Sequence, residues 1–299
     1  MSFAADARPR DEARETARHW PHPALAGVDL LRARYVEHRF TRHVHDAYAI
    51  GVIEAGVEQF HVDGARHEAP AGTVVFIDPD VPHDAEAGIS GGWAYRMLYP
   101  KPAVVAGIAA EVTTLRGTPH FPEPVVTDPA ALRAFRAAHR AAEGGDRLAA
   151  SSLTQAALGR LLREHAATAR PRSVPATGRM PVERATELLA EQVADPPSLD
   201  ELAAAVGSAP FPLLRAFRRH TGLAPHAWLV QLRVERAAAL LVTGVAPAEV
   251  AARLGFADQA HLTRHFKRHI GVPPGAYAAE RVGPAARRNI VQDGAGERT

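Results

Sequence analysis

The sequence predicts an α+β chain of two domains: a β barrel or sandwich with flanking helices, then an all-α domain built on a tandem helix-turn-helix. Three observations predict it. Short runs of β-forming residues, separated by Gly- and Pro-containing turns, fill residues 29–99. Helical spacing governs the stretch from about Met180 to Tyr277. That second stretch also repeats itself, at an offset of 48 residues in its first block and 49 thereafter.

Composition narrows the function classes. A length of 299 residues leaves room for two cores of ordinary size. A net charge of only +2 points neither toward nucleic acid nor away from it, so the placement of charge must decide. The absence of Cys excludes disulfides, zinc–thiolate sites, thiol nucleophiles and methyl-accepting repair chemistry. No apolar run is long enough to span a bilayer, and the first twenty residues lack the apolar stretch of a signal peptide. The expected location is therefore the cytoplasm, and residues 1–28 read as a poorly ordered arm.

The elements follow in order. Strands are predicted around Ala47 to Ile53, Thr73 to Ile77 and Trp93 to Tyr99, with turns at Asp63-Gly64, Asp78-Pro79 and Gly91-Gly92. Helices are predicted over Pro129 to Ala142 and Arg147 to Ala167, broken at Gly144-Gly145, with leucines at 148, 153, 158, 161 and 162. Two readings of those helices stand: they close the β domain, or they meet the same helices of a second subunit. The first domain thus covers residues 29–168, a Pro-containing linker 169–179, the helical domain 180–283, and a disordered tail 284–299.

The repeat carries the most information. Glu201-Leu-Ala-Ala-Ala-Val-Gly207 resembles Glu249-Val-Ala-Ala-Arg-Leu-Gly255. Leu213, Arg215, Phe217, His220, Gly222, Pro225 and Trp228 return as Leu262, Arg264, Phe266, His269, Gly271, Pro274 and Tyr277. Each copy has the parts of a helix-turn-helix. In the first, Ser198 and Glu201 form a capping box, Gly207 permits a left-handed turn, and a second helix starts near Pro210. In the second, Asp258 is a good N-cap for a helix running to about His269. Leu213, Phe217, Leu262 and Phe266 face inward. Arg215, Arg218, Arg219, Gln259, His261, Arg264, Lys267 and Arg268 face outward, where Arg and helix N-termini suit phosphates and base edges. His226 to Val242 reads as one helix of roughly 25 Å, a spacer suited to major grooves about 34 Å apart.

From Ser198 to Tyr277 the chain resembles the DNA-binding domain of the AraC/XylS family of bacterial regulators, through LLRAFRRHTGLAPHAWL, LRVERAAALL and EVAARLGFADQAHLTRHFKRHIGVPPGAY. The resemblance implies base contacts from the two recognition helices. Carried over, these fall on Phe211, Leu214 and Arg215, and on Gln259, Ala260 and Arg264. Leu214 and Ala260 could contribute only apolar contact, for example to thymine methyls. Ala209 stands where the family usually has a Ser or Thr N-cap. The segment HVHDAYAIGVIEAGVEQFHVDGARHEAPAGTVVFIDPDVPHDAEA is similar, more loosely, to the cupin-like sensor domain of many members.

That similarity implies a pocket inside a small barrel. Its candidate lining is His43, His45, Asp46 and His83, with Tyr48, Glu54 and Trp93 nearby. Alternate residues of a strand share a face, so His43 and His45 point the same way. Three readings stand: a small-molecule effector pocket, a metal site, or histidines with structural hydrogen bonds. The expectation is the first, with no metal and no cofactor, because the acidic ligand usual in metal-binding cupins is not evident and position 50 is Ile. The expected function is an effector-controlled transcription activator, a homodimer on double-stranded DNA with RNA polymerase as a possible partner. The rivals are a metal-dependent cupin enzyme tethered to a DNA-binding domain, and a constitutive regulator whose barrel only dimerises.

Overall fold

The computed structural model describes residues 15–144, 146–168 and 179–281. The N-terminal domain comprises β1 (Thr16–Pro21), β2 (Val28–Tyr35), β3 (Phe40–His43), β4 (Ala49–Val62), β5 (Ala65–Pro70), β6 (Val74–Ile77), β7 (His83–Ala87), β8 (Trp93–Pro100), α1 (Pro102–Val112), β9 (Pro119–His120), β10 (Val125–Val126), α2 (Pro129–Gly144), α3 (Arg147–His165) and β11 (Ala167–Thr168). The C-terminal domain comprises α4 (Arg179–Glu191), α5 (Leu199–Ala205), α6 (Pro210–Thr221), α7 (Pro225–Val242), α8 (Pro247–Arg253), α9 (Gln259–Ile270) and α10 (Pro274–Ala279).

Strand β4 organises the barrel. Its first half pairs antiparallel with β6 and β8, and its second half with β5 and β7. The main wall runs β1-β2-β8-β4-β6-β10, and β3 joins through β7. Alternation along the strands divides the apolar residues between two cores. Leu31, Tyr35, Trp93, Tyr95 and Met97 fill the inside of the barrel. Leu30, Ile50, Val52 and Leu98 face outward, onto α1, α2 and α3.

A register shift between Ile53 and Ala55 breaks that alternation on β4. Gly56 follows at φ +71, where a Cβ would lie 1.9 Å from the Gly92 carbonyl oxygen. The odd positions Ala49 and Ile53 point inward before the shift, and the even positions Phe60 and Val62 point inward after it.

Residues 16–21 correct the expectation of a poorly ordered arm. They form an edge strand along β2, from Thr16 opposite Arg34 to Pro21 opposite Asp29. Trp20, buried in the outer core, supplies the apolar contact that holds it. Residues 1–14, most of the predicted linker and the predicted tail lie outside the described residues. Of the five leucines on α3, Leu158, Leu161 and Leu162 pack onto the barrel. Leu148 and Leu153 stay exposed.

The helical domain has one core per helix-turn-helix. Val182, Leu189, Leu202, Leu213 and Phe217 surround the first. Val250, Leu254, Leu262 and Phe266 surround the second. Helix α7 supplies Leu229 to one and Val234 and Leu241 to the other, so it ties them together. The Ser198–Glu201 capping box forms in both directions.

Asp128 anchors the helices behind the barrel. One carboxylate oxygen accepts the N–H groups of Ala130 and Ala131, both at 2.9 Å, at the start of α2. The other meets Arg160 and His165 of α3, at 3.2 and 3.1 Å. The Ala131 N–H bond leads in holding this carboxyl down at about 2. Stability from this depressed carboxyl is present above the unfolded value near 4 and is lost as pH falls toward 2. Asp128→Ala should destabilise the protein by about 1–2 kcal/mol at neutral pH, with a smaller difference in acid. Denaturant titrations at both pH values check this; equal losses would contradict the linkage.

Candidate functional site

The two recognition helices are α6 and α9. Arg215, Arg218 and Arg219 of α6 are exposed, and Leu214 is half-buried. Ala209 makes no side-chain cap, as its methyl dictates. The Phe211 side chain lies outside the described residues. On α9 the Asp258 cap forms, accepting the His261 N–H at 2.5 Å. Gln259, Ala260, Arg264 and Arg268 are exposed. Two predicted outward residues are engaged elsewhere. His261 bonds His265 at 2.9 Å, and Lys267 pairs with Glu15 of the barrel domain at 3.3 Å.

Both recognition helices end against the barrel. Their C-caps, Gly222 and Gly271, are equivalent positions of the repeat and adopt φ +75 and +85. A Cβ on Gly222 would meet Pro82 at 2.0 Å, and one on Gly271 would meet the Tyr35 hydroxyl at 2.5 Å. The Tyr35 hydroxyl donates to the Gly271 carbonyl at 2.7 Å in a buried position. Val272 enters the inner core of the barrel. Arg18 grips Glu280 with two bonds of 3.0 Å. Arg281 pairs with Asp29, donates to the His19 carbonyl at 2.9 Å and lies 3.7 Å from the Tyr277 ring centre.

A cavity of about 520 Å³ lies within this junction. The barrel contributes His43, His45, His83, Glu58, Tyr95 and Tyr99; the helical domain contributes Gln231, Glu235, His269 and Tyr277. The Gln231 carbonyl oxygen accepts the Val44 N–H at 3.0 Å, closing one side. The three barrel histidines stand together, with ring centres 4.3 to 5.0 Å apart. Burial and then their mutual repulsion hold His43 and His45 well below the usual imidazole range. Burial holds His83 at about 4. Burial thus keeps the cluster neutral, and the facing Nε2 atoms of His43 and His45 share one proton across 3.1 Å.

His43, His45 and His83 are thus brought together, although β3 ends at His43 and His45 lies beyond it, and Asp46 sits at the rim, paired with Lys101. The other three candidates lie elsewhere. Tyr48 is buried in the outer core and donates to the Pro119 carbonyl at 2.6 Å. Glu54 binds Arg96 at 2.9 Å and Arg136 at 3.3 Å, facing α2. Both have the outward parity of Ile50 and Val52. Trp93 has inward parity but stacks deep against Tyr35 and Tyr95, away from the cavity. Glu58, Tyr95 and Tyr99 were missed. Parity from Met97 would have found the two tyrosines, whereas the β4 register shift hides Glu58. The helical-domain lining has no local signal at all.

Residues 25–162 match the family model of an AraC-like ligand binding domain, and residues 181–280 that of a helix-turn-helix domain. The chain belongs to the AraC family of transcription regulators. It is 27% identical over 236 residues to the HTH-type transcriptional regulator YbfI of Bacillus subtilis, covering 79% of this chain and 86% of that one. It is 35% identical over 97 residues to MtrA of Neisseria gonorrhoeae, a match spanning 31% of this chain and 32% of that regulator. The fold resembles that of ToxT from Vibrio cholerae, with a TM-score of 0.50 at 8% identity over 90% of this chain and 98% of that one. This AraC-family chain is therefore a DNA-binding transcription regulator with a ligand-binding domain, not an enzyme.

Burial pushes the Glu58 carboxyl from 4.5 up to about 8, and one of its oxygens has no partner. The unfolded chain ionises this group near 4.5 while the folded chain keeps the proton, so stability falls as pH rises from there through about 8. Glu58→Gln should flatten that decline, gaining on the parent in thermal melts taken between about pH 5 and 8.5. Parallel pH profiles would show that the carboxyl is not held protonated.

Proposed function

We propose that this regulator is a transcription activator controlled by a small molecule in the interdomain cavity. The observation that carries the reading is the double wall of the cavity, built from barrel strands and from helices α7, α9 and α10. A ligand there touches both domains, so its affinity differs between docked and released arrangements. The docked ends of α6 and α9 leave Arg215 and Arg264 exposed. Release or tightening at the C-caps then changes how the two recognition helices meet successive grooves.

The lining favours a neutral, polar effector with an apolar part. Tyr95, Tyr99 and a protonated Glu58 offer hydrogen bonds, and Val75, Ile77 and Met97 offer apolar surface. The nearby cations Lys101 and Arg281 already pair with Asp46 and Asp29. The volume lies within the usual range for such ligands. Exposed Leu148 and Leu153 on α3 support pairing with a second copy. RNA polymerase is the partner that activation requires. Among the described residues no helix is long and apolar enough to cross a membrane, and the proposed location is the cytoplasm.

Two measurements test this reading. On a cognate site found by genome-wide mapping, Arg215→Ala and Arg264→Ala should each cost about 1–3 kcal/mol. Equal losses on random DNA would reduce both to phosphate contacts. Tyr35→Phe removes the donor to Gly271 and should weaken docking by about 1–2 kcal/mol, shifting DNA affinity several-fold. An affinity equal to the parent's at matched salt would sink the coupling between cavity and DNA.

A further inference from the structure

The histidines of the cavity carry more than an effector surface requires. One ligating nitrogen from each of His43, His45 and His83 lies within 4.8 Å of the others. The Nε2 atoms of His43 and His45 are 3.1 Å apart. That is near the separation of two nitrogens sharing one ion at about 2.0–2.1 Å from each.

Their orientation is set by backbone carbonyls. His43 Nδ1 faces the Thr41 carbonyl at 2.7 Å, and His83 Nδ1 faces the Val81 carbonyl at 2.9 Å. On the second recognition helix, His269 Nδ1 faces the His265 carbonyl at 2.8 Å. A carbonyl can only accept, so each of these rings carries its proton on Nδ1. Each therefore turns an unprotonated Nε2 outward. This is how metal-binding histidines are held: the second nitrogen donates to a carbonyl, which fixes the tautomer and the ring.

His269 belongs to the other domain, yet its ring centre stands 5.9 Å from that of His43, edge to face. Two imidazoles on one ion place their ring centres at about this distance or less, given the metal–nitrogen length and the size of the ring. The carboxylate that the sequence reading missed at position 50 is absent because Ile50 packs in the outer core. The His269 ring of the DNA-binding domain is the next imidazole beside this group of three.

We propose that His43, His45 and His83 hold a divalent transition-metal ion and that His269 joins its coordination, so that the ion links the barrel to the second helix-turn-helix. Imidazole donors without thiolate suit zinc, nickel, cobalt or copper rather than magnesium or calcium. The proposal shares the cavity with the effector reading but does not rest on it. It revises the expectation of a metal-free site.

The test uses the full chain, stripped with a chelator and titrated with Zn²⁺ or Co²⁺. Calorimetry, thermal melting and the visible spectrum of bound Co²⁺ are the readouts. The expected result is one ion per chain and a rise in Tm, as for any ligand that binds only the folded state. His83→Ala should weaken binding at least ~10-fold. His45→Gln serves as the second variant if circular dichroism shows His83→Ala to be misfolded. His269→Ala should still bind one ion, more weakly and with an altered Co²⁺ spectrum, while His67→Ala, on β5 outside the cavity, matches the parent. Absence of stoichiometric binding, or barrel variants that bind like the parent, overturns the site. An unchanged affinity and spectrum in His269→Ala overturns the interdomain ligand.

Discussion

Tyr35 joins the two halves of this regulator. Its ring is fully buried in the barrel among Phe40, Trp93 and Tyr95, and its hydroxyl ends on the Gly271 carbonyl. A buried carbonyl at a helix C-terminus needs a donor, and the Tyr35 hydroxyl is one. The aromatic core of the barrel therefore holds the last turn of α9. Gly222 packs as closely on Pro82, so α6 and α9 both rest on the barrel through the glycines that end them. These glycines do two things at once: they take the left-handed conformation, and they leave no Cβ in the joint.

Burial sets the chemistry of the junction. The cavity collects imidazoles and a carboxyl that burial keeps uncharged, while the true charges are paired off around it. Behind the barrel the balance differs. Arg96 is buried but bonded to Glu54 at 2.9 Å and Glu143 at 2.7 Å, and it donates to His139 at 3.1 Å. That network gives each charge an opposite partner, whereas burial keeps the cavity groups neutral. The helix side of the sheet thus sets an ionic cluster beside its apolar core, and the inner side presents neutral polar groups to the cavity.

The bulge on β4 decides which of these faces a residue serves. Without the shift between Ile53 and Ala55, Glu58 would lie on the helix side with Glu54. With it, one strand sends one glutamate to each environment, and their properties part accordingly. Glu54 has two arginines, and Glu58 has an orphaned oxygen and a raised affinity for its proton. The close approach of Gly56 to Gly92 is the backbone contact that accommodates the bend.

The sequence by itself determined whatever is written in local spacing. The 49-residue repeat, the Ser198 and Asp258 caps, and the apolar faces of α6 and α9 specify two helix-turn-helix units, because helix periodicity and capping are properties of neighbouring residues. Strand alternation put His43 and His45 on one face, but β3 ends at His43 and the loop after it brings His45 alongside. Tertiary structure alone decided the rest. Residues 16–21 became a strand only because β2 offered an open edge and the outer core a place for Trp20. Tyr48, Glu54 and Trp93 left the predicted pocket because parity and depth within a curved sheet depend on its pairing. Lys267, outward by helical spacing, was claimed by Glu15 across the junction. The cavity itself, with His269 beside His43, exists only where two domains distant in the chain come together. No local pattern encodes that meeting.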